Sequence, residues 1–160
     1  MKKVIVYFII YILGLMVQFG WAKYFSPYGI SPNFLLVCLI FVGLMRGSFE
    51  GEILGFAWGI SWDALSTEMF GSHAFLFMCL GYFSGLLYRK WNESKIFAQM
   101  LLAGAASVLF IIGMKGIYAI FGANEYIFSL NYITNLQPVY NIMLAPIVFW
   151  AGKRLIFLLD

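Results

Sequence analysis

Charge is scarce in this chain. Of its 160 residues only 11% are Asp, Glu, Lys or Arg, where a soluble domain carries ~25%. So few charged side chains cannot cover a globule of this size without leaving large apolar patches, and a water-soluble fold is set aside. One histidine, His73, rules out a zinc-protease pair of the H-E-x-x-H kind. Two cysteines, Cys38 and Cys79, lie inside apolar runs without C-x-x-C spacing. They read as small buried hydrophobes, with no disulfide framework and no metal site. There is no Walker loop, no Rossmann fingerprint and no basic stripe, so neither a cofactor nor a nucleic-acid partner is expected. What the chain has is hydrocarbon: 63% hydrophobic residues, 20% aromatic, and a mean hydropathy of +0.90. That composition excludes disorder and points to an integral membrane protein surrounded by membrane lipid. At ~20 apolar residues per crossing, six spans take about 120 positions. The remainder is too short for a separate soluble domain, so function must sit in the spans or their loops.

The apolar runs divide the chain, as a single polytopic domain over 1–160, into six transmembrane helices at about 4–22, 31–45, 52–66, 73–88, 96–121 and 138–156. The first run follows Lys2 and Lys3 like a signal peptide, but it is too long and lacks an A-x-A site, so it reads as an uncleaved helix. Ser-Pro-Tyr-Gly at 26–29 is a turn. Pro32 and Asn33 stand where the second helix can begin. That second run is short for a crossing, and either borrows residues 30–32 or thins the bilayer. Residues 46–52 form a polar bend, 67–72 a turn, 89–95 the most charged loop and 122–137 the longest loop. Pro146 sits inside the last run as a kink that packed neighbours tolerate. With six spans, Lys2, Lys3, Arg46, Arg89, Lys90, Lys95, Lys153 and Arg154 share one side, against Lys23 and Lys115 on the other. The positive-inside rule then places both termini in the cytoplasm. Trp21, Tyr24, Tyr28, Tyr88, Trp91 and Tyr126 near run ends fit interfacial belts.

The third run carries the most information. Glycines recur at Gly47, Gly51, Gly55 and Gly59, and the next step of four lands on Asp63. Residues four apart lie nearly above one another on a helix, so the glycines form a smooth groove with a carboxylate at its outer end. Gly81 and Gly85 repeat the device in the fourth run. Glycine at this spacing admits close helix approach, either inside the bundle or against a different subunit. Asp63 is costly inside a membrane. It can be a hydrated or backbone-capping carboxylate near the interface, an anchor for neighbouring helices, or a polar wall of an outward pocket. Lys115 is a possible partner, although snorkelling to the headgroups suits it better. Asp63, Glu68 and His73, with Ser66 and Ser72 between them, could be drawn as a catalytic set. A tight turn offers no rigid scaffold for one, and His73 reads as an interfacial residue. Gln18 is expected to bond a neighbouring helix. Phe56, Trp58 and Trp62 lie on the other faces of the third helix, toward lipid or a partner.

Ser31-Pro32-Asn33-Phe34-Leu35-Leu36 opening a span, then Gly55-Phe56-x-x-Gly59-x-x-x-Asp63, then Gly71, resembles the rod shape-determining protein family MreD. The match is good over 31–88, and Asn33 stands where the family usually has aspartate. The resemblance implies an all-α membrane fold similar to the substrate-binding subunits of energy-coupling-factor transporters. It implies a non-enzymatic scaffold in the bacterial cytoplasmic membrane that binds MreC. Through MreC it would help couple MreB filaments to RodA and its transpeptidase partner in peptidoglycan synthesis. Gly51, Gly55, Gly59, Gly81 and Gly85 would then hold the bundle or seat the MreC helix. Asp63 and Gly71 would fix the outer end, and Pro32 and Asn33 would open the second span. The rival reading is a vitamin-transporter subunit of the same fold, with Asp63, 67–72 and 122–137 as polar walls.

Overall fold

The computed structural model describes residues 2–24, 31–66, 69–90, 95–121 and 136–157, with side chains described from 5 to 20 in the first helix and to 155 in the last. Among them are six helices and no strand. These are α1 (Lys2–Tyr24), α2 (Phe34–Arg46), α3 (Ser48–Leu65), α4 (Ser72–Leu86), α5 (Ile96–Ile120) and α6 (Gln137–Phe157). The turn at 26–29, Glu68, and residues 91–94 and 122–135 lie outside the described residues. So do the side chains of Lys2, Lys3, Trp21, Lys23, Tyr24, Tyr28, Trp91 and Tyr126.

The helix α2 organises the others. Its sequence, FLLVCLIFVGLMR, is apolar on every face, and a helix of that kind belongs in an interior. Every residue from Phe34 to Leu44 is buried, and α1, α3, α4, α5 and α6 each pack against it. It rises only ~20 Å, well short of a ~30 Å hydrocarbon core. Residues 31–33 are not helical, so α2 does not lengthen itself by borrowing them. Protein rather than lipid surrounds it, and side chains from neighbouring helices satisfy its first turn.

The outer surface is the reverse of a soluble protein's. Phe8, Ile12 and Met16 on α1, Leu109 and Ile112 on α5, and Met143, Ile147 and Trp150 on α6 are exposed. Gln18, Asp63, His73, Gln99, Ser107 and Asn141 are buried. Large apolar groups outside and satisfied polar groups inside suit lipid as the solvent. By length and composition alone, one helix among the described residues is long and apolar enough to cross a membrane: Ile96–Ile120, with a mean hydropathy of 2.2. Six crossings therefore go beyond that test. The physical reasons are that α2 and α4 are short and that α3 carries three acids, Glu50, Glu52 and Asp63.

The bend expected over 46–52 is tighter than the sequence suggested. Gly47 alone separates α2 from α3, at φ 102°, a value that favours glycine because it has no Cβ. Gly47 N–H donates to Gly43 O at 2.8 Å, and its own carbonyl accepts from Gly51 N at 3.1 Å. Gly47 is thus a hinge, and the glycine stripe on α3 itself begins at Gly51.

Candidate functional site

The helices α3 and α4 meet backbone on backbone. A Cβ placed at Gly51 would strike the Gly81 carbonyl, one at Gly55 the Phe77 carbonyl, and one at Gly59 the backbone of Ala74. From the other side, a Cβ at Gly81 would strike the Gly51 carbonyl, and one at Gly85 the backbone of Gly47 and Ser48. None of these obstacles is a side-chain tip that could swing away. Close packing is a main source of helix attraction in lipid, and here the chain supplies both surfaces. A partner helix seated on Gly51, Gly55 and Gly59 would have to displace α4, and one seated on Gly81 and Gly85 would have to displace α3.

Asp63, in the last turn of α3, closes the end of this seam away from Gly47. Its Oδ2 accepts from Gly71 N at 2.9 Å and Ala74 N at 3.0 Å, and its Oδ1 from His73 N at 3.1 Å. His73 Nδ1 lies 2.9 Å from Oδ1. A carboxylate offers only lone pairs, so Nδ1 carries the hydrogen and donates. These four bonds fill the ~four acceptor positions of the carboxylate, and its side chain is 0% exposed. Local sequence explains the arrangement. The residue capping α4 is Gly71, at φ 94°, which has no side chain to accept from the first turn. Ser72 N–H finds Met69 O and Phe75 N–H finds Gly71 O. The donors of His73 and Ala74 need an acceptor from elsewhere, and Asp63 is that acceptor. Its negative charge at the start of α4 also complements the helix dipole.

His73 is therefore not interfacial. It is 4% exposed, with its ring centroid 5.5 Å from that of Phe110, 5.9 Å from Phe77 and 6.1 Å from Trp62. Burial follows from its bond to Asp63, a pairing that the ten-residue separation hides. Of the serines once drawn beside it, Ser72 Oγ donates to Met69 O at 2.7 Å and Ser66 Oγ to Asp63 O at 3.4 Å. Both hydroxyls serve the turn. The four Asp63 bonds all run to the start of α4, none of them to Lys115.

A second buried polar cluster starts α2. Asn33 Oδ1 accepts from Leu36 N at 3.0 Å, while Gln18 Oε1 on α1 accepts from Phe34 N at 2.8 Å. Asn33 N–H donates to Asn141 Oδ1 on α6 at 2.8 Å. Asn141 Nδ2 donates to Ser107 Oγ on α5 at 2.8 Å, and Ser107 Oγ donates to Ala103 O at 2.6 Å. Pro32 is fully buried beside this cluster. Four helices are thereby joined at one point. Asn33 and Gln18 stood out in the sequence; Asn141 and Ser107 did not, and nothing in their spacing announces them.

The aromatic residues of α3 divide. Phe56 is 49% exposed, but Trp58 is only 4% exposed and stacks on Tyr11 at 5.8 Å, so its expected outward face is corrected. Trp62 stacks on Phe19 at 5.8 Å. Cys38 is a buried free thiol and Cys79 a half-buried one.

An apolar exterior around helices whose starts are capped by buried side chains defines a helical membrane bundle. Its conspicuous polar groups serve its own architecture. The chain belongs to the rod shape-determining protein MreD family, whose model matches residues 1–155. The family is one of membrane proteins with a role in determining rod shape. No curated protein and no solved structure matches the chain.

Proposed function

We propose that the protein is a non-enzymatic scaffold of the bacterial cell-elongation machinery. It crosses the cytoplasmic membrane six times with both termini inside, and it binds the membrane helix of MreC. Through MreC it helps couple MreB filaments to peptidoglycan synthesis by RodA and its transpeptidase partner. The observation that carries this reading is the family match over residues 1–155, and the saturation of Asp63 agrees with it: the carboxylate weighed and set aside as part of a catalytic set holds the start of α4. Orientation has support from packing. Tyr7 meets Glu50, Gly85 meets Ser48, and Gly152 meets Phe41. The ends of α2, α4 and α6 that carry Arg46, Arg89, Lys90, Lys153 and Arg154 therefore gather at one end, as the positive-inside rule asks of a cytoplasmic face. Because α4 fills the glycine stripe, the MreC helix is assigned to an outer apolar face.

The transport reading requires Asp63 as a polar wall of an outward pocket, and that carboxylate faces α4. Depletion separates the two. Loss of rod shape with unchanged vitamin uptake is expected of the scaffold. Lost uptake in cells that keep their shape would overturn it.

A further inference from the structure

A groove of about 310 Å³ runs between α1 and α6, floored by Phe34, Cys38 and Phe41 of α2. It owes its depth to small residues, Gly14 on one wall and Ala151 and Gly152 on the other. Gly152 has no room for a side chain, since a Cβ there would strike the Phe41 ring. Leu13, Val17 and Ile147 on the rims are exposed, so the groove opens toward lipid.

Two features identify the occupant. The first is length. From Ile147 to Leu155 the wall rises ~12 Å, against ~30 Å for a hydrocarbon core. A crossing helix, whether from a partner or from a second copy of this chain, would be seated over less than half its length. The acyl chains of one leaflet reach only ~15 Å, and the groove suits one of them. The second is charge. The groove runs toward the end of the bundle where α6 carries Lys153 and Arg154 and where α1 begins with Lys2 and Lys3. Arg154 is seven residues from Ile147, hence on the same stripe of the helix, and it is exposed. Its guanidinium carbon lies 4.1 Å from the ring centre of Trp150, which is exposed as well. Stacking uses the face of the guanidinium and leaves its edge, with the N–H donors, for phosphate oxygens. The described acids of this end, Glu50 and Glu52, stand on α3, which contributes no residue to the lining. We propose that the groove holds one acyl chain of an anionic phospholipid from the leaflet at the basic end, with its phosphate on Arg154. The proposal rests on the membrane class of the protein and not on the scaffold reading.

The test uses the full chain, purified in detergent, stripped of lipid and titrated with phosphatidylglycerol or phosphatidylethanolamine of identical acyl chains. Native mass spectrometry reads the bound lipid. Wild type is expected to retain one phosphatidylglycerol a few-fold more strongly than phosphatidylethanolamine, the size expected of one exposed ion pair. Arg154→Gln should keep its helix content and lose the preference. Lys95→Gln, which removes an exposed charge of the basic end outside the groove, should keep the preference. Ala151→Phe should fill the groove and lose lipid of both kinds. Glycerol phosphate, which has the charge and no acyl chain, should not bind. If Ala151→Phe fails to fold, the comparison of Arg154→Gln with Lys95→Gln decides alone. Equal retention of the two lipids by wild type, an unchanged preference in Arg154→Gln, or an equal loss in Lys95→Gln would overturn the proposal. So would an Ala151→Phe protein that keeps its lipid, retention of glycerol phosphate, or a wild-type dimer that Ala151→Phe splits.

Discussion

At the scale of single residues, the least expected partnership is Asp63 with His73. An intramembrane carboxylate invites a functional reading, and a neighbouring imidazole strengthens it. The geometry gives both another task, since three backbone N–H groups and the imidazole converge on one carboxylate. Each buried donor left without an acceptor costs about 1–3 kcal/mol. Asp63→Ala strands four donors and should lower stability by several kcal/mol on that basis. His73→Phe keeps a ring among Trp62, Phe77 and Phe110, leaves the backbone donors served, and should cost about 2 kcal/mol. Unfolding in detergent checks the order, and equal losses would count against it. The importance of Asp63 was legible in the sequence because acids are rare in such runs. His73 was drawn beside it only as part of a catalytic set that was set aside; that the two join to cap α4 was not legible, because the need arises from a glycine at the head of α4 that cannot cap its own helix.

At the scale of elements, the α3–α4 seam and the position of α2 decide the fold. The glycine spacing revealed a face that can be approached closely, but not which helix approaches it, since spacing carries no address. Gly55→Ala should drive a Cβ into the Phe77 carbonyl and force the helices apart. Gly116→Ala on α5 meets nothing within 4 Å and should leave stability unchanged or raise it by about 0.4–1 kcal/mol. Melting the two variants side by side tests the seam, and a harmless Gly55→Ala would refute it. The central place of α2 could not be read from its sequence. A helix apolar on all sides looks the same whether lipid or protein surrounds it. Its start offers a second test: Asn141→Leu removes the acceptor of Asn33 N–H and the donor to Ser107, for an expected loss of about 1–3 kcal/mol in the same assay.

At the scale of the whole molecule, the sequence predicts an apolar chain with eight of its ten basic residues on one side. The contacts bring the basic ends of α2, α4 and α6 together. A cysteine placed at Lys95, which is exposed, should react with a membrane-impermeant reagent only after the cells are opened. Labelling of intact cells would invert the topology. The broader claim is that the buried side chains of Asp63, Gln18 and Asn33 hold the starts of α4 and α2 and are not displayed to a ligand. Hydrogen exchange of the full chain tests it most directly at the amides of Gly71, His73 and Ala74. Slow exchange is predicted in the wild type, with protection lost in Asp63→Ala at these amides while those of Asn33, Phe34 and Leu36 stay protected. Fast exchange at these amides in the wild type, or an unchanged pattern in Asp63→Ala, would contradict the account.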